Sequence, residues 1–109
     1  MLQLRFQEID GALVITPLAP ALDAAVAPEL RDAVCEMARG RALVVLSLAH
    51  VHTIDASALA ALVSILKRMA PAGELRLAHA RPRVRALLAA TYLDEVFPAF
   101  EDASSATRA

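Results

Sequence analysis

The 109-residue sequence predicts a single α/β domain, in which helices pack on a mixed, mostly parallel β-sheet of four to five strands. Its length fits one domain of roughly 100–150 residues. Short apolar segments of strand type alternate with amphipathic segments of helix type, in the order β-β-α-β-α-β-α-β. Strand–helix–strand units with short connections form right-handed crossovers between parallel strands, so this order predicts the sheet. We expect residues 1–100 to form the domain and residues 101–109 to be a tail that adds a short helix or stays disordered.

The first two strands are expected to form a hairpin. Leu2, Leu4 and Phe6 alternate with polar neighbours, which predicts a half-buried strand. The dipeptide Asp10-Gly11 is a strong turn signal, and residues 12–15 follow it as the second strand.

Three further strands are predicted between and after the helices. Residues 42–48 are almost continuously apolar, which suits a central strand covered on both faces. Residues 74–78 alternate, as a more exposed strand does. Residues 96–100 form a short final strand. Pro98 within it cannot donate a ladder hydrogen bond, so an edge position is expected.

Three helices are predicted from apolar residues at helical spacing. The first begins near Ala27 and stops at Gly40, the second covers residues 56–70, and the third begins near Pro82. Cys35 falls on the polar side of the first helix by its phase, which favours an unreactive thiol.

The composition excludes several classes of function. A single cysteine allows no internal disulfide and favours a reducing compartment. The net charge of −1, with no basic face, argues against nucleic-acid binding. The first residues lack the apolar core of a signal peptide, and the longest weakly polar stretch is shorter than the ~20 residues that a membrane span needs. We therefore expect a cytoplasmic protein that does not insert into a membrane.

Catalytic and metal-binding patterns are weak. Ser57 has no Gly-x-Ser-x-Gly turn around it, and three glycines in the whole chain supply no phosphate-binding loop. His50, His52 and His79 could in principle meet as zinc ligands. Surface loops often carry histidines, however, and that is the simpler interpretation. We expect no catalytic residue, no metal and no cofactor.

The start of the second helix is the best candidate for a recognition surface. Asp55 is placed to cap this helix by accepting a hydrogen bond from the amide of Ser57 or Ala58. By its phase, Ser57 points away from the apolar stripe, together with Ser64 and Arg68. Its hydroxyl should then be accessible, and a phosphate on it would be favoured by the helix dipole.

Several segments together resemble the STAS domain of bacterial anti-sigma factor antagonists. The apolar strand over residues 43–48 is followed by Ile54-Asp55-Ala56-Ser57-Ala58-Leu59, where the family has an aspartate, Ser-Ser-Gly and a leucine-rich helix. Further similar segments are Leu22-Asp23 before Ala27-Pro28-Glu29-Leu30, Gly73-Glu74-Leu75-Arg76-Leu77, Pro82-Arg83-Val84-Arg85-Ala86-Leu87-Leu88, and Leu93-Asp94-Glu95-Val96-Phe97-Pro98.

The resemblance implies a partner-switching protein without catalytic activity of its own. Such an antagonist binds an anti-sigma factor, usually a serine kinase, and thereby frees the sigma factor. The kinase phosphorylates the serine directly after the aspartate, and a phosphatase reverses the modification. By this resemblance, the partner-binding residues here are Asp23, Thr53, Asp55, Ala56, Ser57 and Ala58.

The sequence departs from the family where the switch should lie. Ala56 directly follows Asp55 and has no hydroxyl, and Ser57 matches the second serine, which is normally not the target. Ala58 replaces the glycine, and Val26 stands where a capping Thr or Asn is common. Two hypotheses stay open at this point. Either the protein is always competent to bind, or Ser57 or Thr53 has become the modified residue.

A second class of function also fits the resemblance. Some STAS domains are non-switching subunits of transporters or of other multiprotein assemblies, and the loss of the phosphorylatable serine suits that role too. A homodimer is a further open alternative, because the sequence does not show which apolar face is left uncovered.

Overall fold

A computed structural model describes residues 1–108, which form seven β-strands, four α-helices and one 3-10 helix. In chain order these are β1 (Leu4–Ile9), β2 (Ala12–Pro17), β3 (Ala21–Leu22), α1 (Ala27–Met37), β4 (Leu43–Ser47), β5 (Thr53–Ile54), α2 (Ala56–Met69), β6 (Glu74–Ala78), α3 (Pro82–Ala90), the 3-10 helix (Leu93–Glu95), β7 (Ala99–Phe100) and α4 (Ala103–Arg108).

Five strands form the main sheet in the order β1-β2-β4-β6-β7. Only the first pair, β1 with β2, is antiparallel, and the other three pairs are parallel. The predicted mixed and mostly parallel sheet is therefore confirmed. The two short strands β3 and β5, which the sequence patterns did not predict, form a separate parallel pair.

The hairpin between β1 and β2 closes where the sequence predicts it. Asp10 and Gly11 both have left-handed backbone angles, with φ values of 51° and 82°. Two consecutive positive φ angles define the type I′ turn, whose twist matches that of the flanking strands. Ile9 and Ala12 are consequently direct partners at the end of the ladder.

The helices cover the two faces of the sheet unequally. Side chains on one face, such as Ile15 and Leu46, share a large core with Leu30 of α1, Ile65 of α2 and Leu88 of α3. The opposite face carries a small core of Val14, Val45, Ala78 and Ala106, in which Ala106 belongs to α4. Neighbouring residues of β4 thus enter different cores, as the alternation of a strand requires. The predicted central strand is covered on both faces.

The C-terminal residues form a helix with specific anchors. The Oδ1 atom of Asp102 accepts a hydrogen bond from the amide of Ser105 at 2.7 Å, and this bond lowers the pKa of Asp102. Nη1 of Arg76 donates to the carbonyl of Ala106 at 2.7 Å. Arg76 also forms two hydrogen bonds to Glu74, which hold its guanidinium in place. The two ends of α4 are therefore fixed by side chains.

Three local expectations are wrong. Phe6 is 62% exposed, because β1 lies at the sheet edge and has a neighbour on one side only. Val96 precedes the final strand, because its amide bonds to the carbonyl of Leu93 and closes the 3-10 helix. Cys35 was expected on the polar side of α1, but it is half-buried and packs against the main core. The buried face of α1 is wider than the positions of its polar residues indicate.

The remaining helix predictions agree with the structure. Helix α2 spans nearly the predicted range, and α3 begins at Pro82 as expected. Helix α1 ends at Met37, a little before the expected stop at Gly40, whose φ of 74° lies in the turn that follows. No helix within residues 1–108 is both long and apolar enough to cross a membrane.

Candidate functional site

The short β3–β5 pair brings two distant segments together at the carboxyl end of the main sheet. Ala21 pairs with Thr53, and Leu22 pairs with Ile54. The amide of Asp55 continues the contact by donating to the carbonyl of Leu22 at 3.2 Å. Asp23 and Asp55 directly follow the two paired strands, so they lie at the same end of the pair, where the chain continues into α1 and into α2.

Asp55 caps α2, as its position in the sequence predicts. Its backbone is extended, with φ −124° and ψ −175°, and its Oδ1 accepts a hydrogen bond from the amide of Ala58 at 3.1 Å. Its carbonyl accepts the first intrahelical hydrogen bond, from the amide of Leu59, at 3.1 Å. The cap holds the first turn of α2 in one geometry, because it satisfies an amide that has no partner within the helix.

Asp23 organises the turn that leads into α1. Its Oδ1 accepts a hydrogen bond from the amide of Ala25 at 3.0 Å. Its carbonyl accepts from the amides of Val26 and Ala27, at 3.1 and 2.8 Å. Val26 itself provides no side-chain cap to α1, as predicted, so the turn at Asp23 supplies the acceptors.

The four residues Asp55 to Ala58 differ sharply in accessibility. Asp55 and Ala56 are exposed, Ser57 is half-buried, and Ala58 is completely buried. Of Ala58, only the backbone contributes to the surface geometry, because its side chain packs in the main core. Thr53 is half-buried within β5. Asp55 and Ala56 are thus the two residues of this segment whose side chains are exposed.

Ser57 lies on the side of α2 that helical phase predicts, together with Ser64, but it is half-buried there and not open to solvent as expected. Together with Pro28, Arg31 and Ser64, it lines a groove of about 300 Å³ between α1 and α2. The packing of α1 against this side of α2 covers part of a surface that helical phase alone would leave open to solvent. Arg31, the cation in this groove, is hydrogen-bonded to Asp32 at 3.0 Å.

The three histidines are not gathered into a ligand set. His50, His52 and His79 are all exposed, and among residues 1–108 no three His, Cys, Asp or Glu side chains are arranged to hold a metal ion. His79 has a left-handed φ of 58°, and its amide donates to the carbonyl of Phe100 at 3.2 Å. Its backbone therefore helps to join the ends of β6 and β7.

One residue at this end of the molecule was missed by the sequence analysis. Arg81, the residue before α3, donates from Nη2 to the carbonyl of Ala49 at 3.1 Å. It thereby ties the loop after β4 to the start of α3. The sequence shows a basic residue just before the predicted start of α3. Its hydrogen-bond acceptor could not be predicted, because it is a backbone carbonyl 32 positions away in the chain.

A family model for the STAS domain matches residues 3–106. This match spans nearly the whole chain, which therefore belongs to the STAS domain family. It confirms the resemblance drawn from the residues around Asp55.

Solved structures with the same fold include anti-sigma factor antagonists and a transporter family protein. An anti-sigma-factor antagonist (STAS) domain protein from Planctomyces limnophilus has 22% identity and a TM-score of 0.87, with 95% of this chain and 94% of that chain covered. An anti-sigma factor antagonist from Mycobacterium paratuberculosis has 20% identity and a TM-score of 0.86, with 97% of this chain and 91% of that chain covered. A sulfate transporter family protein from Wolinella succinogenes is similar at 18% identity and a TM-score of 0.76, covering 89% of this chain and 82% of that chain. No curated protein matches the chain.

Proposed function

We propose that this protein is an anti-sigma factor antagonist that binds an anti-sigma factor with serine kinase character. The contact surface is the α2-start surface, which we define as Asp23, Thr53, Asp55, Ala56 and Ser57. The observation that carries this proposal is the β3–β5 pairing, which places Asp23 and Asp55 at the same end of the pair, where the exposed Ala56 directly follows Asp55. A partner of this kind would place the function in the cytoplasm.

The local geometry suits docking of a protein surface. The backbone around Asp23 is fixed by three hydrogen bonds, and the first turn of α2 is fixed by the Asp55 cap. A surface that is ordered before binding loses little conformational entropy on association. Ala56 adds only a methyl group at the centre, so a partner can approach the helix start closely.

Ala56 also determines how binding is regulated. Phosphorylation of the residue after the aspartate would add about −1.5 to −2 charge next to Asp55 and repel a closely packed partner. Ala56 has no hydroxyl, so this repulsion cannot be switched on at that position. The proposed antagonist is therefore always competent to bind, it needs no phosphatase at this residue, and its abundance sets the response.

Charge insertion at Ala56 tests the contact surface. In affinity capture from a native lysate, we expect the wild-type protein to retain an anti-sigma factor kinase and Ala56→Glu to lose it. An uncompensated charge buried in an interface costs about 2 kcal/mol or more, which is over tenfold in affinity. The variant should fold normally, because an acidic residue in the first turn of a helix is favoured by the helix dipole.

Ala86→Glu is the matched control for this experiment. Ala86 is also an exposed helical alanine, but it lies in α3. We expect this variant to retain the kinase as the wild type does. Equal capture by Ala56→Glu and the wild type would contradict the proposed contact surface.

Phosphorylation of the purified protein tests the loss of the switch. After incubation with the captured kinase and ATP, mass spectrometry should find no phosphate on the wild type and phosphate at position 56 in Ala56→Ser. Phosphate on Ser57 or Thr53 of the wild type would instead show that the switch has moved to a neighbouring hydroxyl. Both of these side chains are half-buried, which limits access for a kinase.

A second candidate function is a non-switching subunit of a transporter or of another multiprotein assembly. It is supported by the similarity in fold to the Wolinella succinogenes sulfate transporter family protein. The same capture experiment separates the two candidates. Recovery of transport proteins, with no anti-sigma factor, would favour this second function.

A further inference from the structure

We propose that the outer edge of β1 is a homodimer interface, on which β1 of a second copy of this chain adds as an antiparallel strand. Within residues 1–108, strand β1 forms one edge of the main sheet and has β2 as its neighbour on one side only. The other side of its backbone faces outward over six residues, Leu4–Ile9. A strand in this position offers a row of hydrogen-bonding groups to a further strand.

The two edges of the main sheet are protected to very different degrees. The opposite edge strand, β7, has only two residues and directly follows Pro98. Short edge strands, prolines, bulges and charged side chains, especially lysine, are the usual means by which proteins prevent edge-to-edge pairing. Strand β1 contains no proline or lysine, and its register with β2 runs without a bulge from Leu4 to Ile9. Its two charged residues are Arg5 and Glu8, and Glu8 is already paired with Arg41. This edge is left open to pairing.

The hairpin determines which backbone groups of β1 face outward. Ile9 and Ala12 flank a two-residue turn and therefore form a hydrogen-bonded pair. Because hydrogen-bonded and non-hydrogen-bonded pairs alternate in an antiparallel ladder, every second residue of β1 directs its amide and carbonyl away from β2. These residues are Leu4, Phe6 and Glu8.

Phe6 gives the open edge an apolar centre. Its side chain is 62% exposed, and with Leu13 and Met37 it borders a depression of about 550 Å³. Phe6 lies opposite Ile15 in the hairpin, so it is on the face of the sheet that carries the main core. A second β1 strand would cover the ring and extend this core across the edge.

The side chains of β1 favour one register with a second copy. With Phe6 of one copy opposite Phe6 of the other, Arg5 lies opposite Gln7, and Leu4 lies opposite Glu8. Moving the second strand by two residues in one direction sets Arg5 against Arg5. Moving it in the other direction separates the two Phe6 rings and sets each of them against a Glu8 carboxylate. The first register also sets Leu4 against Glu8, so its advantage is the central pair of rings. Like charges directly opposite each other destabilise a strand pair, whereas paired aromatic rings stabilise it.

The edge is also ordered before any second copy binds. The amide of Leu2 donates to both carboxylate oxygens of Glu29 in α1, at 3.1 and 3.2 Å. Glu8 forms a salt bridge with Arg41, near the other end of the strand. Since β1 is held at both ends, pairing costs little additional ordering of the chain. The interface includes no residue of the α2-start surface, so the dimer can be tested separately from the proposed function.

Sedimentation equilibrium of the purified protein, compared with two single variants, tests the dimer. We expect the wild type to approach twice the 11.6 kDa mass of the chain as its concentration rises. Phe6→Lys should weaken the dimer by more than about tenfold, because it removes a buried ring from each copy and sets two ammonium groups opposite each other. Val96→Lys is the control, since Val96 is another exposed apolar residue, 46% exposed, that lies outside β1. It should dimerise as the wild type does.

Hydrogen exchange supplies an independent measurement on the same samples. The amides of Leu4, Phe6 and Glu8 should exchange more slowly in the wild-type dimer than in Phe6→Lys. A wild type that stays monomeric at every concentration overturns the proposal. A dimer that Phe6→Lys leaves intact, or that both variants weaken equally, overturns it as well, because the interface would then lie elsewhere.

Discussion

Asp55 has two roles at the start of α2, and they can be separated by substitution. Its Oδ1 caps the helix through the amide of Ala58, while its exposed carboxylate contributes negative charge beside Asp23. Asparagine caps a helix about as well as aspartate does, whereas alanine does not. A pair of substitutions at this one residue can therefore distinguish the structural role from the role in recognition.

We expect Asp55→Ala to lower the free energy of unfolding by about 1 kcal/mol, because the amide of Ala58 loses its acceptor. Asp55→Asn should stay within about 0.5 kcal/mol of the wild type. Urea denaturation followed by circular dichroism measures both values. If the two variants were equally destabilised, the carboxylate would stabilise the protein through its charge and not through the cap. If Asp55→Asn is as stable as the wild type but binds the partner more weakly, the negative charge of Asp55 contributes to the partner contact.

The surroundings of these residues were only partly predictable. An aspartate directly before an apolar periodic segment is sufficient to predict the Asp55 cap. The half-buried position of Ser57 was not predictable, because it depends on the angle at which α1 packs against α2. That angle is set by contacts between distant residues, and helical phase contains no information about it.

Secondary-structure elements followed the sequence patterns where the patterns were long. The apolar run of β4 and the periodic stripe of α2 gave nearly correct bounds. Strands β3 and β5 have two residues each, which is too short for any alternation to be visible. Their pairing follows from the crossover between β2 and β4, a property of the whole sheet. The exposure of Phe6 was missed for a similar reason. Alternation identifies a strand, but it does not show that the strand lies at the edge of the sheet.

Arg76 attaches α4 to the sheet by a side-chain hydrogen bond. Its guanidinium bonds to the carbonyl of Ala106 and to Glu74, and it lies 5.7 Å from the centre of the Phe100 ring. The Arg76 side chain is only 14% exposed, so these contacts are largely shielded from water. The element it joins is short, since α4 has six residues and one fully buried side chain, Ala106.

We expect Arg76→Met to loosen α4 and to lower the free energy of unfolding by about 1–3 kcal/mol, since Glu74 and the carbonyl of Ala106 both lose a charged donor. Hydrogen exchange should become faster in α4 than elsewhere in the protein. Arg39→Met is the control, because the Arg39–Glu36 pair is exposed and such pairs contribute about 0–1 kcal/mol. Unchanged exchange in α4 would mean that the small core around Ala106 is sufficient to hold the helix.

At the scale of the whole molecule, stability depends on one large core and one small one. Three helices share the large core, and α4 alone covers the small one. Phe97 is the largest of the fully buried side chains and belongs to the large core. It follows the 3-10 helix and precedes β7, so it anchors the last crossover of the chain to the sheet.

We expect Phe97→Ala to lower the free energy of unfolding by about 3–5 kcal/mol, through lost apolar burial and the cavity that it leaves. A domain of this kind has a total stability of about 5–15 kcal/mol, so the variant should be close to unfolding. Val96→Ala, at the neighbouring exposed position, should change stability by less than about 0.5 kcal/mol. Chemical denaturation compares the two. A loss of under 1 kcal/mol for Phe97→Ala would show that the core can close around the missing ring.

The β3–β5 pairing also limits how this chain can change during evolution. It joins the loop after β2 to the loop after β4 residue by residue, from the Ala21–Thr53 pair to the Leu22–Ile54 pair. One residue inserted into either strand of this pair would slide Asp23 past Asp55 by about 3.3 Å and turn a side chain to the other face of the pair. Insertions and deletions should therefore be tolerated there only when both segments change length in concert.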